Sequence, residues 1–336
     1  MAPEEPTVAL RRLVNGYQVS QAIHVAAVLG IADLLVDGAR GSDELAAATD
    51  TDPRSLYRLL RALAAVGVLR EEDARRFSLT EVGEGLRSDA DAPIAGWAAM
   101  IGRDYYWRAW GALLHSVRTG ENAFRHVHGA DPWTYRATHP EEAAIFDRAM
   151  ADLTRRSHAS VMAAYDFGRF DTVVDVGGGN GALLASLLPR HEGMRGILLD
   201  LPHAVRAAES VFAGAGIADR CEAVAGDFFQ AVPGGGDAYV LRAVLHDWED
   251  PECFAILTNV RRAMGPAARV IVIERDLGPA NALPDAKFSD LNMLVAPGGC
   301  ERTIAEYGEL LARAGLELEE SHAAGFGLHV IVGRMC

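Results

Sequence analysis

One stretch decides the fold of this chain, Val173-Val174-Asp175-Val176-Gly177-Gly178-Gly179-Asn180-Gly181-Ala182-Leu183-Leu184. An apolar run ends in an acid, a glycine cluster follows, and an apolar helical pattern comes after it. This order predicts a buried strand, a tight turn and the start of a helix. Because glycine has no Cβ, the turn can approach a ligand closely, and the free N–H groups of the helix start face that ligand. The stretch therefore predicts a site for a nucleotide-like molecule.

Composition places the chain among folded globular proteins with room for two domains. It has 336 residues, of which 50% are hydrophobic, and its formal net charge is −14. The acidic charge argues against binding to nucleic acid or to an anionic membrane.

Cysteine usage and the N-terminus bear on metal sites and location. The cysteines are scattered, without a CxxC pair or a Cys/His cluster, so the sequence predicts no zinc site, no other metal and no disulfide framework. The apolar stretch around residues 25–36 contains Asp33 and is too short to span a bilayer. Since the acidic N-terminus is also unlike a signal peptide, we expect a cytoplasmic protein.

Residues 1–91 form the predicted first domain. Apolar faces between Val8 and Leu35 predict helices, Ser42 is the predicted N-cap of a further helix, and Asp52-Pro53 begins the next one. Residues 68–70 and 77–79 then predict two short strands, which completes the order of a winged helix. Arginines on its second helix could contact DNA phosphates, but acidic residues surround them and such contact needs a basic face. A packing and dimerisation module is the better interpretation.

Residues 92–160 form a predicted helical linker that is rich in aromatic side chains. Each of these side chains, taken alone, is typical of a hydrophobic core. So many together, directly before the ligand domain, predict the roof of an apolar substrate pocket. The members that we assign to the pocket are Trp107, Phe146 and Met150, of which the last two lie four residues apart on one helix face.

Residues 161–336 form the predicted third domain, in which strands and helices alternate. Such alternation predicts a Rossmann-like, parallel α/β sheet. The predicted strands are residues 172–176, 196–199, 221–225, 238–242, 270–274, 317–323 and 329–332. The predicted helices are residues 182–188, 204–213, 253–263 and 304–314, with Asp250-Pro251 capping the third.

Acids stand at three successive strand ends, where parallel sheets bind their ligands. Asp175 ends the first strand, Asp200 ends the second, and Asp227 follows the third. An acid after the second strand can accept both hydroxyls of a ribose. Asp227 beside Phe228 suits an adenine, because a carboxylate accepts the exocyclic amine while a ring stacks on the base.

Two cofactors remain open on these residues. The spacing Gly177-x-Gly179-x-x-Ala182 fits a relaxed dinucleotide pattern, which is weak by itself. The pattern Asp175-x-Gly177-x-Gly179-x-Gly181 fits S-adenosylmethionine sites equally well. The position of Gly226-Asp227 favours S-adenosylmethionine.

Two further motifs carry a resemblance to a known family. Leu245-His246-Asp247-Trp248 follows the fourth strand, and Pro297-Gly298-Gly299-Cys300-Glu301-Arg302-Thr303 lies farther along the chain. With the glycine turn upstream, they resemble the small-molecule O-methyltransferases of the caffeic acid and isoflavone type and their bacterial relatives that act on aromatic polyketides and other phenols. The resemblance covers nearly the whole chain. It implies a class I methyltransferase domain with a seven-stranded, mostly parallel sheet, S-adenosylmethionine as cofactor, S-adenosylhomocysteine as product, and a homodimer formed through the N-terminal domain.

The resemblance also implies residue roles by position. His246 matches the catalytic base, and Glu274 and Glu301 match the two acids that flank it. Arg242 stands where relatives often have a lysine, a departure that keeps the cation but changes its shape. The predicted cofactor contacts are Asp175, Gly177, Gly179, Asp200, Leu201, Gly226, Asp227, Phe228 and Arg242. The predicted acceptor contacts are Trp107, Phe146, Met150, Asp247, Asn292 and Met293.

The implied reaction needs a base. A phenol with a pKa of about 10 is mostly protonated at neutral pH, and a histidine with a pKa near its ordinary value of about 6.5 is well matched to take its proton. We therefore expect His246 to act as general base and one of the two acids to fix its tautomer. The other ten histidines are expected to be structural or exposed.

Three alternatives compete with this interpretation. The same scaffold could carry out S-adenosylmethionine-assisted decarboxylation or hydroxylation, against which the complete set of His246, Glu274 and Glu301 argues. A winged-helix regulator that senses S-adenosylmethionine would need a more basic surface. An NAD-dependent oxidoreductase fits the glycine spacing but not the motifs after the third and fourth strands.

Overall fold

The computed structural model describes residues 5–91 and 93–336, apart from the side chains at positions 155, 156 and 203. Two compact units are present, one of residues up to Gly111 together with Trp133–Arg156, the other of Ala112–Pro132 together with Ser157–Cys336. The predicted linker is thus divided between the units, and its predicted first residue, 92, lies outside the described residues. No helix in the described ranges combines the length and apolar character that crossing a membrane requires.

Every helix and strand that the sequence patterns predict is present, and a two-residue strand at 40–41 and a helix at 284–295 were not predicted. The helices are α1 (Pro6–Val14), α2 (Gly16–Val28), α3 (Ile31–Leu34), α4 (Ser42–Thr49), α5 (Pro53–Ala65), α6 (Ala95–Ile101), α7 (Asp104–Gly111), α8 (Leu113–Thr119), α9 (Ala123–His128), α10 (Pro132–Thr138), α11 (Pro140–Ala164), α12 (Ala182–Leu187), α13 (Pro202–Gly214), α14 (Asp250–Ala263), α15 (Pro284–Val295) and α16 (Ile304–Arg313). The strands are β1 (Arg40–Gly41), β2 (Leu69–Glu72), β3 (Arg76–Leu79), β4 (Thr172–Val176), β5 (Arg195–Asp200), β6 (Cys221–Ala225), β7 (Ala238–Arg242), β8 (Arg269–Arg275), β9 (Leu316–Ala323) and β10 (Leu328–Met335).

The first unit contains the predicted winged helix. Asp52 caps α5 by accepting the Ser55 amide at 2.8 Å, and Pro53 opens the helix, because its missing N–H would have no partner there. Leu60 and Phe77 are completely buried in the core below α5. β2 and β3 pair antiparallel as predicted, and β1 adds a third strand that two residues are too few to reveal in a sequence pattern.

Two predicted helix caps are wrong by one residue. Gly41, not Ser42, is the N-cap of α4, and Glu44 stabilises that first turn by accepting the Gly41 amide at 3.1 Å. Glu249, not Asp250, is the N-cap of α14. Asp250 instead pairs with an arginine of the candidate active site described below.

The second unit is built on the predicted seven-stranded sheet. Its order is β6-β5-β4-β7-β8-β10-β9, with β10 antiparallel to both of its neighbours and the other neighbours parallel. β4, β6 and β7 have the predicted bounds to the residue. Val173, Val174 and Val176 are completely buried because helices cover both faces of a parallel sheet, which explains the continuous apolar run.

The strand order reverses between β4 and β7. From β4 the chain continues to β5 and β6 on one side, and from β7 it continues to β8 on the other. A crevice opens above the carboxyl ends of strands at such a switch point, and ligands of α/β proteins bind in it. The glycine turn leaves β4 and His246 follows β7, so both lie at this point.

Candidate active site

The glycine turn has a backbone that only glycine adopts readily. Gly177, Gly179 and Gly181 have φ of 70°, 61° and 76°, in the left-handed region. A Cβ on Gly177 would lie 3.0 Å from a methyl carbon of Val244 and 3.3 Å from the ring of Phe228. The turn therefore leaves a narrow space between its backbone and these two side chains.

Asp175 lies beneath the turn. Its side chain is 1% exposed, and among the described residues neither carboxyl oxygen has a hydrogen-bond partner. Burial raises the pKa of Asp175 to about 7, although the Arg242 charge opposes this. Gly178 has no room for a Cβ, which would lie 2.3 Å from the Asp175 carboxyl carbon. Two buried acceptors without partners fit a ligand that carries a donor such as an ammonium group.

Asp200 connects the end of β5 to the glycine turn. Its carboxylate accepts the Gly179 amide at 2.7 Å and the Leu201 amide at 2.6 Å. The backbone carbonyl of Asp200 accepts the Gly226 amide at 2.9 Å, which brings the end of β6 alongside. The structure therefore gives Asp200 a role in holding the turn, which the sequence did not suggest, beside the predicted role at a ribose.

Asp227 and Phe228 follow β6 as predicted. Asp227 accepts the Phe229 amide at 2.9 Å, which fixes the local turn. The Phe228 ring lies 4.9 Å from that of Phe229 and 6.2 Å from that of Trp248, measured between centroids. Since it also borders the space at Gly177, Phe228 is placed to contact a flat base.

Arg242 is held by two residues of α11. Its guanidinium donates to His158 Nε2 at 2.9 Å and to Ser157 Oγ at 2.6 Å. Burial and then the Arg242 charge together lower the pKa of His158 to about 3, so the ring stays neutral and accepts at Nε2. His158 Nδ1 lies 3.1 Å from Ser186 Oγ and donates to it. The longer, forked side chain of arginine, compared with lysine, makes this double anchor possible.

His246 and Glu274 form the centre of the site. Glu274 is 1% exposed, and its Oε1 accepts the backbone amides of Val244 at 2.9 Å and Leu245 at 2.8 Å. Its Oε2 lies 2.6 Å from His246 Nδ1. One carboxylate thus shapes the turn after β7 and orients the ring on that turn. Nδ1 donates to Glu274, which leaves Nε2 for a substrate.

The same contacts change the basicity of the ring. Burial by itself lowers the pKa of His246, but the charges of Glu274 and then Asp247 outweigh it and raise the pKa to about 10. The expected pKa of about 6.5 for His246 is therefore wrong, because the buried Glu274 carboxylate stabilises the protonated ring.

Glu301 lies on the other side of His246. Side-chain donor atoms of His246, Glu274 and Glu301 lie within 4.8 Å of one another, as the motifs predict. Glu301 accepts from Ser289 Oγ at 2.6 Å, and its other oxygen is buried with no partner among the described residues. Burial raises the pKa of Glu301, and the Glu274 charge adds to this while the His246 charge opposes it.

Two features that hold this arrangement were not predicted. Arg302, 3% exposed, donates to the carbonyls of Leu245 at 3.1 Å and Trp248 at 3.0 Å, and pairs with Asp250 at 2.9 Å. Gly299 packs against the same turn, since a Cβ there would lie 2.2 Å from the His246 carbonyl oxygen. The sequence signal was present in the motif around Glu301, but only the fold shows that these residues clamp the histidine turn.

The predicted acceptor residues are divided between the two units. Asp247 lies beside His246, with 3.5 Å between its carboxylate and Nε2. Asn292 and Met293 lie on α15 in the same unit. Trp107, Phe146 and Met150 belong to the first unit, where the Arg136 guanidinium stacks on the Phe146 ring. Their place in an acceptor pocket stays a prediction.

Comparisons with known proteins identify the family of this chain. Residues 110–317 match the O-methyltransferase domain family, and residues 11–89 match the O-methyltransferase dimerisation domain family. The phenazine O-methyltransferase PhzM of Lysobacter antibioticus is 41% identical over 97% of this chain and 95% of its own length. The crystal structure of LaPhzM superposes with a TM-score of 0.94 at 39% identity, over 99% of this chain and 100% of that one.

Two further proteins show what related structures bind and do. The O-methyltransferase NcsB1 from neocarzinostatin biosynthesis was solved with S-adenosylmethionine and 2-hydroxy-5-methyl naphthoic acid, with a TM-score of 0.82, 36% identity, and coverage of 95% of this chain and 96% of that one. The aclacinomycin 10-hydroxylase RdmB of Streptomyces purpurascens is 36% identical over 96% of this chain and 89% of its own length. A related chain has therefore been named for a different reaction.

Proposed function

The chain belongs to the S-adenosylmethionine-dependent O-methyltransferase family, and we propose that it methylates a phenolic hydroxyl of a small aromatic secondary metabolite. In this proposal His246 is the general base. The observation that carries the proposal is the 2.6 Å contact between His246 Nδ1 and Glu274, which leaves Nε2 free to take a proton. PhzM is named as a phenazine O-methyltransferase, and NcsB1 was solved with 2-hydroxy-5-methyl naphthoic acid, and both support an aromatic acceptor.

The residues suit this chemistry in a definite order. Bound S-adenosylmethionine supplies an electrophilic methyl group on a sulfonium. His246 Nε2 takes the phenol proton as the oxygen attacks the methyl carbon, and the carbon–sulfur bonding pair stays with sulfur. Because the pKa values of phenol and His246 are both about 10, the proton transfer is close to balanced. Glu274 then holds the resulting imidazolium.

The magnitudes indicate which effects matter. General base catalysis contributes about 10²–10⁴-fold, or roughly 3–5 kcal/mol. Alignment of the attacking oxygen with the methyl group can contribute up to about 7–11 kcal/mol. We propose that Asp247, Asn292 and Met293 of the second unit contribute to this alignment by contacting the acceptor ring. The same role for Trp107, Phe146 and Met150 of the first unit stays a prediction.

The proposed cofactor site is the space at the glycine turn. Gly177 and Gly179 leave room for the cofactor because they have no side chain, and Asp175 and Arg242 lie beneath the glycine turn. In this proposal Asp200 and Leu201 contact the ribose. Gly226, Asp227 and Phe228 line the side for the adenine. The space beside Gly177 and the unpartnered Asp175 carboxylate both fit a small nucleoside with an amino-acid tail.

Replacement of Asp200 should weaken cofactor binding. We expect Asp200→Ala to raise the Kd for S-adenosylmethionine by roughly 10–100-fold, because a charged hydrogen-bond acceptor contributes about 1.5–3 kcal/mol. Calorimetric titration measures this change. Asp237→Ala is a matched control, since that carboxylate accepts amides at the other end of the sheet, at Asp171 and Thr172. An unchanged Kd for Asp200→Ala contradicts the assignment.

Turnover should rise with pH far beyond the ordinary histidine range. Below the raised pKa of about 10, His246 is protonated and cannot accept another proton, so activity grows as that proton is lost. The check is kcat/KM against pH with a simple phenol. 2,4-Dinitrophenol, which is already ionised well below neutral pH, is the control and should show a much flatter profile. A plateau for the simple phenol from about pH 6.5 contradicts the raised pKa.

An acceptor panel tests the function as a whole. Hydroxylated phenazines, naphthoates and anthracyclines, incubated with S-adenosylmethionine, should give methylated products by mass spectrometry together with S-adenosylhomocysteine. Products that have gained oxygen or lost carbon dioxide, with the cofactor unconsumed, would favour the hydroxylase or decarboxylase alternative instead.

We further propose a homodimer formed through the first unit. α1 has no buried residue, and its apolar side chains are exposed, Leu13 to 74% and Val14 to 66%. Such an apolar surface is typical of an interface, and the match to a dimerisation domain supports it. Light scattering of the purified chain gives the oligomeric state, and a monomer at micromolar concentration would contradict the proposal.

A further inference from the structure

A second cluster of histidine and acid side chains lies outside the active site, on the hairpin of α8 and α9. His115 Nε2 lies 2.7 Å from Glu121 Oε2, and the rings of His115 and His126 stack with centroids 3.6 Å apart and an interplanar angle of 12°. One donor atom from each of the three residues lies within 4.8 Å of the others. From the sequence, both histidines were expected to be structural or exposed and no metal site was predicted, since the spacing across the hairpin matches no familiar motif.

The donor set is that of a transition-metal site. Two imidazole nitrogens and one carboxylate oxygen are ligands that Zn²⁺ prefers, and three protein ligands leave a fourth position for water. Glu121 and His126 are exposed, so their side chains have room to rotate toward an ion held by His115, with the His126 ring leaving the stack.

We propose that His115, Glu121 and His126 bind a divalent transition-metal ion of the Zn²⁺ type. The site is separate from the catalytic residues and takes no part in methyl transfer. The acidic chain favours cation binding, and the partial exposure of the cluster gives the ion a path from solvent.

The hairpin also contacts the segment that leads to Glu301. Asn122, which follows Glu121, donates to the carbonyls of Leu294 at 2.9 Å and Ala296 at 3.0 Å. It also caps α9 by accepting the Arg125 amide at 2.9 Å. A metal ion bridging α8 and α9 would fix Asn122 between its ligands. Metal binding therefore stabilises the segment of residues 294–301.

Titration of the full-length, tag-free and chelator-treated protein with Zn²⁺ alone tests the site. Calorimetry should show one saturable site, and His126→Asn and Glu121→Gln should each weaken it by at least about tenfold. His128→Asn, two residues farther along α9, is the matched control and should bind as the wild type does. No saturable binding, or equal affinity in all four proteins, overturns the proposal, since equal affinity would place the ion elsewhere, for example on a cysteine.

Hydrogen exchange provides a readout that does not depend on activity. Zn²⁺ should slow amide exchange in residues 294–301 of the wild type and of His128→Asn, and should leave it unchanged in His126→Asn. Thermal melting without metal shows whether each variant folds, and Glu121→Gln serves if His126→Asn does not. Zn²⁺ binding that leaves exchange in this segment unchanged overturns the link to the catalytic segment.

Discussion

His246→Ala should lose about 10²–10⁴-fold in kcat with a simple phenol while its affinity for S-adenosylmethionine stays unchanged. The loss follows because His246 Nε2 is the proposed proton acceptor and an alanine side chain cannot take a proton. The proposed cofactor residues lie at the carboxyl ends of β4, β5 and β6 and, in the case of Arg242, at the end of β7. His246 is not among them, so we expect binding to be spared. Steady-state kinetics and calorimetry on the same preparation separate the two effects.

2,4-Dinitrophenol as acceptor makes this prediction specific. It is already ionised at neutral pH and needs no base, so His246→Ala should lose far less activity with it than with the simple phenol. His329→Ala is the histidine control, since His329 lies on β10 in register with Glu274 but outside the proposed machinery. An equal loss with both acceptors would show that the variant damages the pocket rather than removes a base.

Glu274→Gln should lower kcat about as much as His246→Ala does, but for a different reason. The side-chain oxygen of the glutamine can still accept the backbone N–H groups of Val244 and Leu245. Its side-chain nitrogen then donates to His246 Nδ1. The ring must accept there and carry its proton on Nε2, which is the wrong tautomer for a base. In the comparable Asp–His pair of serine proteases the wrong tautomer costs about 10⁴-fold in kcat. We also expect a loss of roughly 1–3 kcal/mol in the free energy of unfolding.

Two measurements separate tautomer from stability. Denaturant unfolding gives the loss in stability, and kcat measured well below the melting temperature gives the catalytic loss. Because the variant lacks the charge that raises the His246 pKa, its remaining activity should reach a plateau at lower pH than that of the wild type. A pH profile identical to the wild type would mean that Glu274 does not control the base.

Patterns along the sequence predicted the layers of the fold well. The apolar runs of β4 and β7 and the glycine turn between β4 and α12 follow local rules of burial and backbone freedom, so their bounds agree closely with the structure. The N-caps of helices were predicted less well. Gly41 and Ser42 are both acceptable N-caps for α4, and only the contact of Glu44 with the Gly41 amide distinguishes them.

Contacts between distant segments were beyond sequence patterns. Spacing cannot show that Arg302 donates to the carbonyls of Leu245 and Trp248, because more than fifty residues separate them and the partners are backbone atoms. The pKa of His246 was mispredicted for a related reason. Its value depends on how deeply Glu274 is buried, and burial is a property of the folded sheet.

The position of β10 has a consequence for how the enzyme is assembled. β10 is inserted between β8 and β9, so β8 stays an unpaired edge until residues 328–335 arrive. Such an edge slows folding through non-local pairing and can pair with other chains in the meantime. Glu274 lies on β8, opposite His329. During synthesis, therefore, β8, which carries Glu274, gains its second neighbouring strand only when β10 has been made. A chain stalled before β10 would be both inactive and prone to aggregate.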